Sequence, residues 1–377
     1  MKYILMGLML LLSSGCSTVT HDNLVHSSKK GVNIALMVPM SGASSALGNS
    51  IAQAAKMATQ DASEIQVNLE VIDTGSNQEI DQAALSMVKA GKFSAVIGPL
   101  FAAHTKAVEQ VMLKSTPVIS FSNDESLAGK TNLYLAGFLP QQQIERVTQY
   151  SAAHGYKNIY ALLPRNRYGE AVARALEGGF KEGVYDLKLI AYYEDAQTMR
   201  LSAQQIIDAT MPKVLELAEM TDELHEKSAV LIPEGGARLA EIMHYIHQNK
   251  GDDAVDVKFL GASGWREQDI AALPGLGRAW VAAPPQASLD EFKKRYKSTF
   301  NQEPFDLAVL GYDITKLVMT LLQYPGDINA ELKRPEGFTG FAGTFKFTES
   351  GSNKRNLGIS EVREQKFVEV SPSEEQF

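Results

Sequence analysis

The sequence predicts an α/β protein of two Rossmann-like lobes, each built on a parallel sheet, with a hinge between them. Three observations carry that expectation. Short apolar runs of strand length alternate with helical patterns along most of the chain, and strands joined by helical crossovers lie parallel. The alternation comes in two series, one before residue 138 and one after it. At 377 residues the chain also exceeds what one hydrophobic core usually holds.

Composition narrows the function classes. Hydrophobic residues at 45% and charged residues at 21% are ordinary for a globular protein. A formal charge of −8 with no basic stripe argues against nucleic acid and anionic membrane surfaces as partners. The start is different in kind. Lys2, an apolar run over residues 3–12 and the small residues Ser13-Ser14-Gly15 before Cys16 resemble a bacterial lipoprotein signal, which implies cleavage after residue 15 and acylation of Cys16. Ser17 after the cysteine resembles the signal for outer-membrane delivery, so the expected location is a lipid anchor at the outer membrane of a Gram-negative bacterium, facing the periplasm. Residues 16–31 then form a polar tether. Cys16 is the one cysteine, so the remainder has no disulfide and no thiolate metal site.

The first series begins with VNIALMV at residues 32–38, a continuous apolar run suited to a strand buried on both faces. Pro39 to Gly42 ends it, and a helix from about residue 44 to 62 carries the stripe Ile51, Ala54, Ala55, Ala58, with Ser44 or Ser45 as cap. Residues 67–72 form the second strand, followed by a helix marked by Ile80, Ala84, Leu85 and Val88. Residues 94–124 are one βαβ unit: a strand at Val96 and Ile97 stopped by Gly98-Pro99, a helix with Ala103, Ala107 and Val111 inward and His104, Lys106 and Glu109 toward water, and a strand at 117–121. Parallel strands end on one edge of their sheet, so Ser41, Thr74, Phe101 and residues 122–124 should line one crevice.

Residues 133–138 lead through Pro140 to a helix with Ile144, Val147 and Tyr150, the expected first crossing between lobes. Strands follow at residues 158–163, 187–193, 229–232, 258–260 and 279–283, and Pro284-Pro285 marks a crossing back. Two helical patterns, Phe292/Tyr296/Phe300 and Leu307/Leu310/Ile314/Leu317/Leu321, return to the first lobe. Residues 344–347 and 360–370 read as short strands finishing the second. The expected division is residues 32–140 plus 285–338 for the first lobe and 141–284 plus 339–377 for the second. Residues 194–227 are too long for a simple connection and hold two helical patterns broken at Met211-Pro212.

Catalytic signatures are lacking. There is no G-x-S-x-G elbow, no phosphate loop and no G-x-G-x-x-G after a strand, so neither an enzyme nor a bound cofactor is expected. His244 and His247 share a helix face without a third ligand, so no metal is expected there. Asp124 and Glu234 could face each other across the crevice if the lobes close, although Glu234 before Gly235-Gly236 more simply suits the positive end of a helix. Phe101, Tyr168, Tyr193 and Trp265 are aromatic tips at strand ends, suited either to a ligand or to packing between lobes.

The texts VNIALMVPMSGASSALG, AVIGPLFAAHTKAV, PVISFSND and NRYGEAVARAL resemble the type I periplasmic binding-protein family, over about residues 32–370. The likeness is strongest to its Leu/Ile/Val-binding branch and to the bacterial lipoproteins called penicillin-binding-protein activators. It implies a type I periplasmic binding-protein fold that closes on a ligand between its lobes without catalysis. The implied wall is Ser41, Phe101, Ala102, Ser120, Ser122 and Asp124 on one lobe and Tyr168, Tyr193, Glu234 and Trp265 on the other. Amino-acid binders of the family hold the ligand carboxylate with a serine after the G-x-L-x segment and a hydroxyl on the next loop. Here those places fall to Ala102 and near Asp124, and a carboxylate beside a carboxylate repels. Tyr168 matches the family's second-lobe tyrosine. Activators of the family contact a peptidoglycan synthase and carry a helical-repeat domain before the binding-protein domain, for which residues 16–32 leave no room. Two functions are therefore expected: a non-enzymatic regulator of peptidoglycan synthesis acting through a synthase, or the substrate-binding lipoprotein of a branched-chain amino-acid-type ABC transporter with a small molecule in the cleft.

Overall fold

The computed structural model describes residues 31–61, 66–75, 79–211, 227–250, 257–266 and 269–377. Cys16, the signal and the tether lie outside the described residues, as does 212–226, where the second helical pattern was expected.

The first sheet is wholly parallel. It comprises β1 (Val32–Val38), β2 (Val67–Asp73), β3 (Ala95–Ile97), β4 (Val118–Ser120) and β5 (Leu133–Leu135), in the order β2-β1-β3-β4-β5. Alternation along β1 explains why its sequence is apolar throughout. Ile34, Leu36 and Val38 meet α1 (Ser45–Gln60) on one face, while Ala35 and Met37 meet Ala84 and Val88 of α2 (Gln82–Ala90) and Val108 of α3 (Ala102–Val111) on the other. The expected stripe of α1 is fully buried. Its expected cap is absent: Ser44 holds the cap position but makes no side-chain bond. The α3 face also differs, because His104, Thr105, Val108 and Glu109 are buried and Ala103 is exposed. Glu109 tolerates this by pairing with Lys114.

The second sheet repeats that order. Its parallel strands are β6 (Asn158–Pro164), β7 (Asp186–Tyr193), β8 (Ser228–Leu231), β9 (Lys258–Gly261) and β10 (Trp280–Ala283), arranged β7-β6-β8-β9-β10. An antiparallel pair, β14 (Gly358–Arg363) and β15 (Lys366–Ser371), extends it beyond β10. Helices α4 (Pro140–Ala153) and α5 (Arg167–Lys181) cover one face, and α6 (Ala196–Thr210) and α7 (Gly236–Asn249) the other. Pro140 fills the first turn of α4, where a missing N–H costs nothing.

The chain returns through α8 (Gln286–Phe300) and α9 (Ala308–Leu321), whose Phe292, Tyr296 and Leu310 join the core of the first sheet, as expected. A third sheet of β11 (Phe338–Gly340), β12 (Gly343–Phe347) and β13 (Asn353–Arg355) follows. Here the expected lobe limit is corrected. Phe345 and Phe347 belong to the first lobe's core, and Leu135 N–H donates to Gly351 O at 2.8 Å along the edge strand β5. The first lobe therefore keeps the chain as far as Arg355, and β14 makes a third crossing. Asn353 Nδ2 ties that crossing to the first by donating to Leu135 O at 2.7 Å and Gly137 O at 2.9 Å.

Candidate functional site

A sheet ordered 2-1-3-4-5 reverses direction beside its first strand, and the loops on either side of that reversal diverge to leave a crevice. In the first lobe these are the loops after β1 and β3, in the second those after β6 and β8. Both walls rest on glycine. A Cβ on Gly48, in the first turn of α1, would lie 1.8 Å from Pro39 O, and one on Gly169, in the first turn of α5, would lie 1.8 Å from Pro164 O. Gly98 has φ +90° and passes Met37 O so closely that a Cβ would come within 2.2 Å.

On the first wall Ser41 is exposed in a loop fastened by Asp73, whose Oδ1 accepts Met40 N–H and Gly75 N–H, both at 2.8 Å. Burial pushes the Asp73 carboxyl up, and the hydrogen bonds from Gly75, Met40 and Ser41 outweigh it and hold the group below the ordinary carboxylate range. Phe101 is half-buried with its ring 5.3 Å from that of His104, and Ala102 opens α3 beside it. Ser120 is fully buried; its hydroxyl donates to Pro99 O at 2.9 Å, lies 2.7 Å from Thr105 Oγ1 and accepts Ser122 N–H at 3.0 Å. It braces the wall from behind and does not line it. Ser122 is buried too, accepting Asp124 N–H at 3.2 Å. Asp124 caps the short turn after it, accepting Ser126 N–H at 3.1 Å and Ser126 Oγ–H at 2.6 Å.

The second wall brings three of its four expected residues together. Tyr168 Oη donates to Pro233 O at 3.0 Å across the reversal point, and Tyr193 Oη donates to Glu234 Oε1. Burial, with the neighbouring Glu234 carboxylate, pushes both phenols well above their ordinary range. Trp265 is not a tip. It is 0% exposed, its Nε1 donates to Ile232 O at 2.9 Å, and its indole covers Gly261 so closely that a Cβ there would lie 2.2 Å away. A large flat ring is worth more under a loop than at its crest. Among the described residues no hydrogen bond joins the candidates of one wall to those of the other: Asp124 is held by Ser126 and Glu234 by Tyr193.

Other residues at this edge escaped the sequence reading. Arg165 Nε lies 3.2 Å from Glu194 Oε1, and its guanidinium stacks 4.9 Å from the centre of the Tyr192 ring, joining the loops after β6 and β7. The available signal was a base and an acid each directly following a strand. At the crossings, Phe138, Arg266, Pro284, Gln286, Lys293 and Asp306 surround a cavity of about 220 Å³ with walls from both lobes. Arg266 Nη1 donates to Pro284 O at 2.6 Å, while its buried Nη2 has no hydrogen-bond partner among the described residues. Among the described residues no group of three or more potential ligands could hold a metal, and no helix is long and apolar enough to cross a membrane.

Two reversal-point crevices on twin parallel sheets, with the chain crossing between them, define a two-lobed binding-protein architecture. This chain belongs to the periplasmic binding protein family, whose model matches residues 31–366. Solved structures agree in fold. A putative branched-chain amino acid ABC transporter protein from Rhodospirillum rubrum superposes with a TM-score of 0.73 at 14% identity, covering 90% of this chain and 100% of its own. Full-length LpoA from Haemophilus influenzae gives 0.63 at 17% identity, covering 91% of this chain and 59% of its own. Among curated sequences, an uncharacterized protein of Rickettsia prowazekii (strain Madrid E) is 26% identical over 168 residues, 44% of each chain. The penicillin-binding protein activator LpoA of Vibrio cholerae (strain O395) is 20% identical over 354 residues, 88% of this chain and 57% of its own. The chain thus spans about half the length of the curated relatives it matches.

Proposed function

We propose that this chain is a non-enzymatic, lipid-anchored envelope protein that regulates peptidoglycan synthesis through a protein partner; its Vibrio relative is named a penicillin-binding protein activator. The observation that carries this reading is the state of the polar groups at the crevice. Tyr193 is engaged by Glu234, Tyr168 by the Pro233 carbonyl, and Asp124 by Ser126 of its own loop. Ala102 adds no hydroxyl where amino-acid binders of this family carry one. Groups already paired within a lobe lose those bonds when a ligand takes them, so they add little to affinity. The proposed lobes are residues 32–140 with 285–355, and 141–284 with 358–377, Cys16 carrying the anchor.

The cavity walled by both lobes favours a second reading, a transporter's substrate-binding protein with a small molecule between the lobes. Thermal unfolding separates the two. A ligand at one hundred times its Kd stabilises by about 2.7 kcal/mol, which for a protein of this size is a rise of several degrees. Under the regulatory reading leucine, isoleucine and benzoate leave Tm unchanged, and crosslinking recovers a complex with a penicillin-binding protein whose transpeptidase rate rises on addition of this protein. A leucine-dependent rise of several degrees with no complex would replace the first reading by the second.

A further inference from the structure

We infer that the second lobe carries a separate binding site, at the end of its sheet opposite the crevice, for a small organic anion with an apolar body. The site is a cavity of about 490 Å³, within the range of small-molecule pockets. It opens at the amino ends of β9 and β10, whereas Glu234 follows the carboxyl end of β8 and Tyr193 is the last residue of β7. Its floor is apolar, formed by Met211, Met243, Ile246, Val257 and Phe259. Its polar lining holds the cations Lys258, Arg278 and Lys250, with the imidazoles of His154 and His247 beside them.

Lys258 is the informative residue. It is only 7% exposed, and an ammonium taken out of water is costly unless it is paired. Its hydrogen bond is a donation to Arg278 O at 2.7 Å, and its Nζ stands 4.2 Å from the centre of the Trp280 ring and 5.5 Å from that of Tyr156. A carbonyl and two aromatic faces attract a cation without neutralising it. The nearby acid is hydrogen-bonded to other groups: Glu361 accepts Trp280 Nε1–H at 2.8 Å and Arg363 Nε–H at 2.6 Å, and it attracts the Lys258 ammonium without a direct ion pair among the described residues. Arg278 stands at the rim with its side chain 78% exposed, its Nη2 4.0 Å from Glu361 Oε1. A buried ammonium with protons to donate, above an apolar floor and beside a second cation, matches a carboxylate or phosphate on an aliphatic or aromatic body. In a chain of net charge −8 this cluster is not a by-product of a basic composition.

The test is calorimetric titration of the full chain with octanoate, octanol and inorganic phosphate. One octanoate should bind per chain, with octanol and phosphate each at least tenfold weaker, because each supplies only half of the complementarity. Lys258→Met keeps the stem against Trp280 and should reduce octanoate affinity at least tenfold, with octanol unaffected. Arg278→Asn guards against a folding artefact. Its position is exposed, and its φ of +66° is one that asparagine adopts readily, so this variant should fold and bind octanoate severalfold more weakly. Octanoate and octanol binding alike, octanoate affinity unchanged in both variants, or no heat with any probe would each overturn the site.

Discussion

Asp313, midway along α9, is a carboxylate whose surroundings pull in two directions. Burial pushes it up from an ordinary 3.8 to about 6, although it accepts Phe341 N–H at 2.9 Å and Ala342 N–H at 2.8 Å and feels the Arg355 guanidinium. The folded value lies above the unfolded one, so the folded state binds the proton more tightly between them. The contribution of this group is fully present below about pH 4 and is lost as pH rises through about 6. Urea unfolding across pH 4 to 7 should show that loss in the parent and a flatter profile in Asp313→Asn. At pH 7 the variant should also be less stable by about 1–3 kcal/mol, because an amide offers one acceptor to two N–H donors. Glycines give a second contrast. Gly169→Ala drives a Cβ into Pro164 O and should cost about 1–3 kcal/mol, whereas Gly178→Ala, in the same helix with nothing within 4 Å, should gain up to about 1 kcal/mol. The pair would be ranked by thermal melts, and equal melts would mean that the helix start is not held by backbone contact. Residue types at the crevice were legible in the sequence, but not their partners. Trp265 and Ser120 looked like wall residues because strand-end loops normally face out, and only the fold shows that Ile232 O and Pro99 O lie behind them.

At the scale of elements, nine of the ten strands of the parallel sheets could be read to within a residue, since short apolar runs between turn residues mark them, whereas β5 reads only as the lead into the first crossing. Helix α3 could not be read this way. Ala103, Ala107 and Val111 at i, i+4, i+8 looked like the core stripe, yet the buried face holds His104, Thr105 and Glu109, with Thr105 met by Ser120 and Glu109 by Lys114. The allotment of β12 failed for the same reason, because alternating short strands do not say which core they cover. That misplaced element supplies a prediction. Asn353 holds the third crossing to the first through two carbonyls, and Gln142 adds bonds to Asn353 O at 2.5 Å and from Arg355 N–H at 2.7 Å. Asn353→Ala leaves buried carbonyls without donors and should lower stability by about 1–3 kcal/mol. Hydrogen exchange should quicken at residues 135–142 and 351–357 and stay unchanged in α6 and α7. Uniform quickening would show the crossing to be no local joint.

For the whole molecule, three crossings and interleaved chain segments argue that the lobes unfold together although their cores are separate. The two tryptophans, Trp265 and Trp280, both lie in second-lobe cores, so their emission reports that lobe while far-ultraviolet circular dichroism reports both. Urea transitions by the two probes should coincide; a dichroism change that precedes or follows the emission change would mean that the first lobe unfolds on its own. The paired glycine contacts under the two walls have another consequence. Each wall stands where it does because backbone rests on backbone at Gly48 against Pro39 and Gly169 against Pro164, with no crevice side chain taking part. Side chains at 101 and 102, which make no hydrogen bond across the wall, are thus free to change identity without moving the frame. Selection could retune or silence such a crevice one substitution at a time, and proteins of one architecture can diverge between holding a metabolite and answering to a neighbour without passing through an unfolded ancestor.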